Sequence, residues 1–216
     1  MKRHVLLTRY YETMLSRLGP SGWWPGRTPF EIALGAILTQ NTAWANVEKA
    51  VHNLREQGLL DPLALQRLPD EELSALIRPA GAFRVKTVRV RNFLRFLHES
   101  CDSDMARLRE RDVDALRADL LRVSGIGPET ADSILLYALD LPSFVVDAYT
   151  RRILTRHGLV SEDIGYEELR EFFMDELPPD VPLFNEYHAL FVRTGKGWCA
   201  KKSGKCQSCP LTCFLE

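Results

Sequence analysis

Residues 123–136 read VSGIGPETADSILL, and no other stretch limits the fold as much. Two glycines bracket Ile126, Pro128 follows at once, and an apolar run with helical spacing starts behind Glu129. Glycine takes positive φ at no side-chain cost and lets its backbone approach another group closely. Proline is accommodated at the first position of a helix, where no amide hydrogen is required. The stretch therefore reads as a tight turn between two helices. The second helix would present free amide donors and a positive dipole end, which favour an anion such as phosphate. Gly125, Ile126 and Gly127 are the candidate contacts, with Ile126 buried between the two helices. A plain structural turn is the competing reading of G-x-G between helices.

The rest of the chain also reads as helix. Phe30, Ala33, Leu34 and Ile37 follow helical spacing, and so do Val47, Val51 and Leu54. Asp70 is a helix start, and Pro79-Ala80-Gly81 a stop. Val88, Phe93, Phe96 and Leu97 mark another helix, and residues 113–121 a further one. Ala131, Ile134, Leu135 and Ala138 are expected on one side of a helix following the glycine turn. PSFVVDA, residues 142–148, is β-branched but short and reads as a connector. At 216 residues, the chain can form one large domain or two intimate small ones.

The net charge is −1, so the chain as a whole lacks a polyanion binder's excess of positive charge. Distribution matters more, because attraction to phosphate is local. Three runs are basic: Arg84, Lys86, Arg89, Arg91 and Arg95; Arg151, Arg152, Arg156 and His157; Arg193, Lys196, Lys201, Lys202 and Lys205. Together they tilt the reading toward a polyanion partner, with solvated helix faces as the bland alternative. No apolar stretch approaches membrane-span length, and the N-terminus lacks a signal-peptide core, so a cytoplasmic location is expected, with nucleoid association in a bacterial cell.

Trp23, Trp24 and Trp44 are three of the four tryptophans, and with Pro25 they offer apolar walls for a flat ring. Core packing is the competing role for each. Near the end, Cys199, Cys206, Cys209 and Cys213 are spaced C-x6-C-x2-C-x3-C. Four clustered thiols in a reducing compartment argue for metal over disulfides, and the spacing alone does not choose between zinc and a [4Fe–4S] cluster. Cys101 stands apart as an ordinary thiol.

LLRVSGIGPETADSILLYAL resembles the helix-hairpin-helix of the endonuclease III superfamily of DNA glycosylases. FVVDAYTRR resembles the segment that carries that family's catalytic aspartate, which maps onto Asp147. ALGAILTQNTAW and the cysteine tail extend the likeness over almost the whole chain. The resemblance implies an all-α fold of two helical lobes with damaged double-stranded DNA across the cleft between them. One lobe is expected at 31–143, with six helices including the hairpin; the other at 1–30 and 144–216, with the cysteine loop at 199–213. It also implies a [4Fe–4S] cluster on Cys199, Cys206, Cys209 and Cys213, although the family's last gap is two residues longer; zinc is the alternative. Lys201, Lys202 and Lys205 on that loop would meet phosphates, and Gln40 would fill the stack behind an extruded base. A capped or buried amide is the competing role for Gln40.

Bifunctional relatives carry a lysine where this chain has Glu129, and a carboxylate cannot form a Schiff base. The departure points to base removal without strand cleavage. Glu129 also complements the helix dipole. A carboxylate at Asp147 would stabilise positive charge on the sugar and accept a proton from water. Taken alone, an aspartate in that setting is more often a helix cap. The stretches GWWPGRTPFEIALGAILTQNTAW, GIGPETADSIL and VVDAY further resemble the 3-methyladenine glycosylase branch, often called MagIII. There aromatic residues sandwich a methylated purine, which puts Trp23 and Trp44 on the base and Trp24, Pro25 and Lys196 around it. Two alternatives stand: an endonuclease III-like glycosylase and AP lyase for damaged pyrimidines, and a non-catalytic helix-hairpin-helix DNA-binding module. A monomer is expected.

Overall fold

The computed structural model describes residues 2–22 and 26–215, so the expectations for Trp23, Trp24 and Pro25 lie outside the described residues. The helices are α1 (Arg3–Leu18), α2 (Pro29–Leu38), α3 (Trp44–Glu56), α4 (Pro62–Arg67), α5 (Asp70–Leu76), α6 (Phe83–Cys101), α7 (Val113–Arg122), α8 (Pro128–Ser133), α9 (Ala148–Arg156), α10 (Tyr166–Met174) and α11 (Val181–Gly197). Among the described residues there is no strand, only an isolated bridge between Cys199 and Gly204. The fold is all-α. No described helix is long and apolar enough to cross a membrane.

Local chemistry sets where the helices begin. The side chains of Thr28, Asp61, Asp112 and Asp180 accept from the amides of Glu31, Ala64, Ala115 and Leu183 at 3.2, 2.9, 2.9 and 2.7 Å. Each satisfies a donor that the first helical turn cannot pair. Pro29, Pro62 and Pro182 stand at the first or second helical position behind three of these caps, where proline costs nothing.

One element differs from its expectation. The helix after the glycine turn stays α-helical only over Pro128–Ser133, then passes into a π-helix over Ile134–Ala138. The amide of Leu139 reaches back to the carbonyl of Ile134, the wider π spacing. All five π residues are buried, so packing on every side sets this backbone, and the one-sided apolar stripe that predicts a plain α-helix is not decisive here.

The chain divides into two compact units, Trp24–Leu141 and Met1–Trp23 with Pro142–Glu216. The sequence expectation sets the boundaries at 30/31 and 143/144. The first unit is built around α2, whose Phe30, Ala33, Leu34, Ala36, Ile37 and Leu38 are all buried. It packs against α3, α6, α8 and the π segment. Lys86 on α6 is buried with it, and its Nζ donates to the carbonyls of Leu38 and Ala80 at 2.8 and 2.7 Å. It thereby satisfies carbonyls that helix ends leave over. Burial, then the nearby Arg89, pushes its pKa below the usual lysine value.

The second unit has an aromatic core. Phe144 stacks on Phe173 at 4.1 Å between ring centres, and Tyr187 on Phe191 at 4.9 Å. Phe184 meets Phe144 edge-on. The Tyr187 hydroxyl, fully buried, donates to the Leu7 carbonyl at 2.8 Å and ties α11 to α1. In the connector before α9, the side chain of Ser143 accepts from Arg170 of α10.

The two helices of the glycine hairpin are joined by a buried ion pair. Arg117 of α7 donates to both carboxylate oxygens of Asp132 in α8 at 2.7 and 3.0 Å, and Asp132 is fully buried. Removing one partner leaves an uncompensated buried charge. Asp132→Ala is expected to cost about 3–5 kcal/mol, a fall of roughly 6–20 °C in Tm for a chain of this size, measured by thermal melting.

Candidate functional site

The turn leaves α7 at Val123 and enters α8 at Pro128. Ile126 is buried and its amide donates to the Val123 carbonyl at 3.0 Å. The two glycines are not equivalent. Gly125 has φ +96°, and a Cβ there would lie 2.3 Å from Cγ of Arg89. Gly127 has an extended backbone and nothing within 4 Å of a built Cβ. So Gly125 is demanded from within the fold, whereas Gly127 borders open space in front of the α8 amides.

Side chains from outside the hairpin hold this turn. Gln40, in the turn after α2, donates from Nε2 to the Gly125 carbonyl at 3.0 Å and to Thr130 Oγ1 at 2.9 Å. Its Oε1 accepts from Arg89 of α6. Asn92 donates to the Ser124 carbonyl at 2.9 Å. Gln40 is half-buried and its amide is held at both ends, so filling a base stack would require it to release three partners. Glu129 is exposed in the first turn of α8, where a carboxylate complements the helix dipole. Trp44 is half-buried at the start of α3, packs against the core of its unit, and donates from Nε1 to Glu48 at 2.9 Å.

In the other unit, Asp147 caps α9. Its Oδ1 accepts from the amides of Tyr149 and Thr150 at 2.9 and 2.8 Å and from the Thr150 hydroxyl at 3.0 Å. Its Oδ2 lies 3.7 Å from Nε2 of His188 on α11. Burial by itself pushes a carboxyl up, but His188 and the Thr150 donors outweigh it and hold Asp147 below the usual carboxylate range. The group is a largely buried carboxylate whose surroundings favour the charged form, with one oxygen taken up by the cap. Tyr149 lies against Gly195 of α11, where an added Cβ would come within 2.3 Å of the ring. Lys196, next along α11, is exposed.

Much of the basic charge is used internally. Arg91 pairs with Asp70 and donates to the carbonyls of Leu65 and Leu68. Arg193 donates to the carbonyls of Gly19 and Leu18 and to Ser21. Arg152 donates to the Cys199 carbonyl at 2.7 Å, and Arg156 to Cys199 Sγ at 3.1 Å and to the carbonyls of Ala200 and Lys201. Lys86 is buried as well, so it is corrected from a surface charge to an internal support, whereas Arg156 stays exposed while it holds the loop. Arg84, Arg95, Lys201, Lys202 and Lys205 are exposed.

Cys199, Cys206, Cys209 and Cys213 are free thiols, with Cys209 buried. Among the described residues no three His, Cys, Asp or Glu side chains converge in a metal-holding arrangement. The loop nevertheless fits a metal group in its chemistry and crowding. Burial and the neighbouring sulfurs of Cys199 and Cys206 push the Cys209 thiol up. A Cβ on Gly204 would stand 3.0 Å from Cys206 Sγ, a tight contact that the sulfur would have to ease by a few tenths of an ångström. Cys101 is buried and donates to the Leu97 carbonyl, the ordinary thiol expected.

His188 and Arg89 were not singled out as site residues by the sequence pattern. His188 is one histidine on an apolar helix, 41 positions after Asp147, and only folding pairs them. Arg89 is hidden among other basic residues.

Residues 34–179 match the family described as HhH-GPD superfamily base excision DNA repair protein. The chain belongs to this family. A Methanocaldococcus jannaschii protein, MJ1434, named provisionally as a DNA repair glycosylase, is 44% identical over 211 residues, 97% of this chain and 95% of that protein. Endonuclease III of Thermotoga maritima is 30% identical over 188 residues, 87% and 83% of the two chains. The crystal structure of H. pylori 3-methyladenine DNA glycosylase (MagIII) bound to 1,N6-ethenoadenine superposes with a TM-score of 0.77 at 25% identity, covering 91% of this chain and 98% of that one. The HhH-GPD chain described here is a DNA repair glycosylase of the endonuclease III superfamily, and DNA is its partner.

The asymmetry of the hairpin glycines gives a direct test. Gly125→Ala is expected to cost about 1–3 kcal/mol, lowering Tm by roughly 2–12 °C. Gly127→Ala should cost under ~1 kcal/mol, since it loses only a modest capping preference. Paired thermal melts check the difference.

Proposed function

We propose that this HhH-GPD glycosylase removes alkylated purines, 3-methyladenine among them, from damaged duplex DNA without cutting the strand. The observation that carries the reading is Asp147, a buried carboxylate kept ionised at a helix N-terminus, combined with Glu129 where a Schiff-base lysine would stand. The damaged nucleotide is taken out of the stack. The N-glycosidic bond breaks and its electron pair leaves with the base. Positive charge develops at the sugar carbon, and Asp147 stabilises it. A water oxygen then bonds to that carbon, its proton passes to Asp147, and an abasic site remains. An N3-methylated adenine is cationic before cleavage and leaves neutral, so no strong general acid is required. Trp23 and Trp44, with Trp24, Pro25 and Lys196, are proposed to form the base site. An aromatic clamp attracts a cation by roughly 0.5–2 kcal/mol. The likeness to a 3-methyladenine glycosylase bound to a modified adenine supports this choice.

Gly125, Ile126 and Gly127 are proposed to offer their backbone to one phosphate and Lys201, Lys202 and Lys205 their charge to others. The four cysteines would hold a [4Fe–4S] cluster, whose soft thiolate donors also suit zinc. When bound, the cluster holds the loop in place. Arg152 and Arg156 already grip the same loop from α9. The protein is proposed to act as a monomer.

Likeness to Thermotoga endonuclease III favours one second reading, a glycosylase and AP lyase for damaged pyrimidines. Glu129 stands against it, and the ionised Asp147 against a non-catalytic binding module.

Duplexes carrying single defined lesions separate these readings. Release of methylated purine followed by nicking only after alkali is the expected result. Nicking without alkali, or a borohydride-trapped covalent adduct, would establish the lyase instead. Asp147→Asn should abolish excision while binding to damaged DNA persists; near-native excision by this variant would sink the assignment. Purified protein should be brown, absorb near ~400 nm and contain iron bound through thiolates. Colourless protein containing zinc would remove the cluster.

A further inference from the structure

We propose that His188 is a positioning residue for Asp147, set against the one carboxylate oxygen that the α9 cap does not use. The inference rests on the reading of Asp147 as the group that faces the sugar. Three donors converge on Oδ1, from the Tyr149 amide, the Thr150 amide and the Thr150 hydroxyl. They fix the carboxylate plane and leave Oδ2 as the oxygen available for chemistry. His188 Nε2 stands 3.7 Å from Oδ2, and the side chains are 7% and 12% exposed. At this depth a polar ring beside a carboxylate is weakly screened, so its effect on charge is large.

A separation of 3.7 Å is longer than a direct hydrogen bond. Pairs of this kind tighten when substrate arrives. As positive charge grows on the sugar, Oδ2 becomes the stronger partner for that charge, and an imidazole N–H beside it holds the carboxylate in one rotamer. The ring also keeps the carboxylate ionised in a buried place, where desolvation would otherwise protonate it. The groups facing Asp147 on α9 are Tyr149 and Thr150, with Arg151 and Arg152 further into the helix; on α11, which packs against α9, the titratable neighbour is His188, with Lys196 two turns beyond.

The sign of the effect follows. Asp147 must be charged to act, so excision falls as pH drops through its pKa. A side chain that keeps that pKa low extends activity to lower pH. Taking the side chain away should move the acid limb upward by about one pH unit or more.

The test is single-turnover excision across pH with His188→Phe, which keeps the ring volume and removes the N–H, and with His188→Gln, which restores a donor. His188→Met serves in place of His188→Phe if that variant fails to fold. Binding to the damaged duplex and Tm are measured alongside. The expected result is an acid limb raised about one pH unit in His188→Phe, lower again in His188→Gln, with binding within about twofold of native. A native acid limb in His188→Phe, or a His188→Gln limb equal to that of His188→Phe, overturns the proposal. Asp147→Asn separates the two levels. If it stays active, the reading of Asp147 fails; if it is inactive while His188→Phe keeps the native limb, only the role of His188 fails.

Discussion

Three donors on one oxygen of Asp147 are the interaction on which the chemistry proposed for the second unit depends. A helix N-terminus has amides with no partner inside the helix, and a carboxylate placed there satisfies two of them while fixing the direction of the first turn. The same contacts make it possible to bury a charge that would otherwise be neutralised. Capping and the proposed chemistry are therefore not rival roles for this side chain. The cap consumes Oδ1 and holds the carboxylate in place, and His188 with the Thr150 donors favours its charged form.

A parallel economy governs the basic residues. A chain with a net charge of −1 has little positive charge to spare. Here guanidinium groups act mainly as multi-donor braces: Arg91 ties α6 to the backbone around α4, Arg193 holds the turn after α1, and Arg152 and Arg156 hold the cysteine loop against α9. A planar group with five donors suits clustered carbonyls better than an ammonium does. The lysines at 201, 202 and 205 remain at the surface, where a flexible point charge can follow a phosphate.

The helices and the hairpin were legible in the sequence because their signals are local. A cap residue, a proline at the first helical position and a repeat of apolar residues act within one or two turns. Ile126 between two glycines announced its own burial, and Asp147 could be located from the residues flanking it. What stayed hidden was set by contacts distant in the chain. The π segment at Ile134–Ala138 reflects packing on all sides, to which a one-sided stripe is blind. Lys86 looked like one charge in a basic run, yet it lies inside the fold on two carbonyls. His188 had no neighbour in the sequence to mark it. The glycines looked alike as letters, and only the position of Arg89 tells them apart.

Gln40 brings a last consequence. Its nitrogen faces two acceptors, the Gly125 carbonyl and Thr130, while its oxygen faces the Arg89 guanidinium. Only a group with a donor end and an acceptor end, at this length, can serve both sides. Glutamate would oppose oxygen to the Gly125 carbonyl, lysine would set a cation against a cation, and asparagine is a methylene too short. The hairpin is therefore keyed by the polarity of a single amide, and rotating that amide half a turn would set its oxygen against the Gly125 carbonyl and its NH2 against the Arg89 guanidinium.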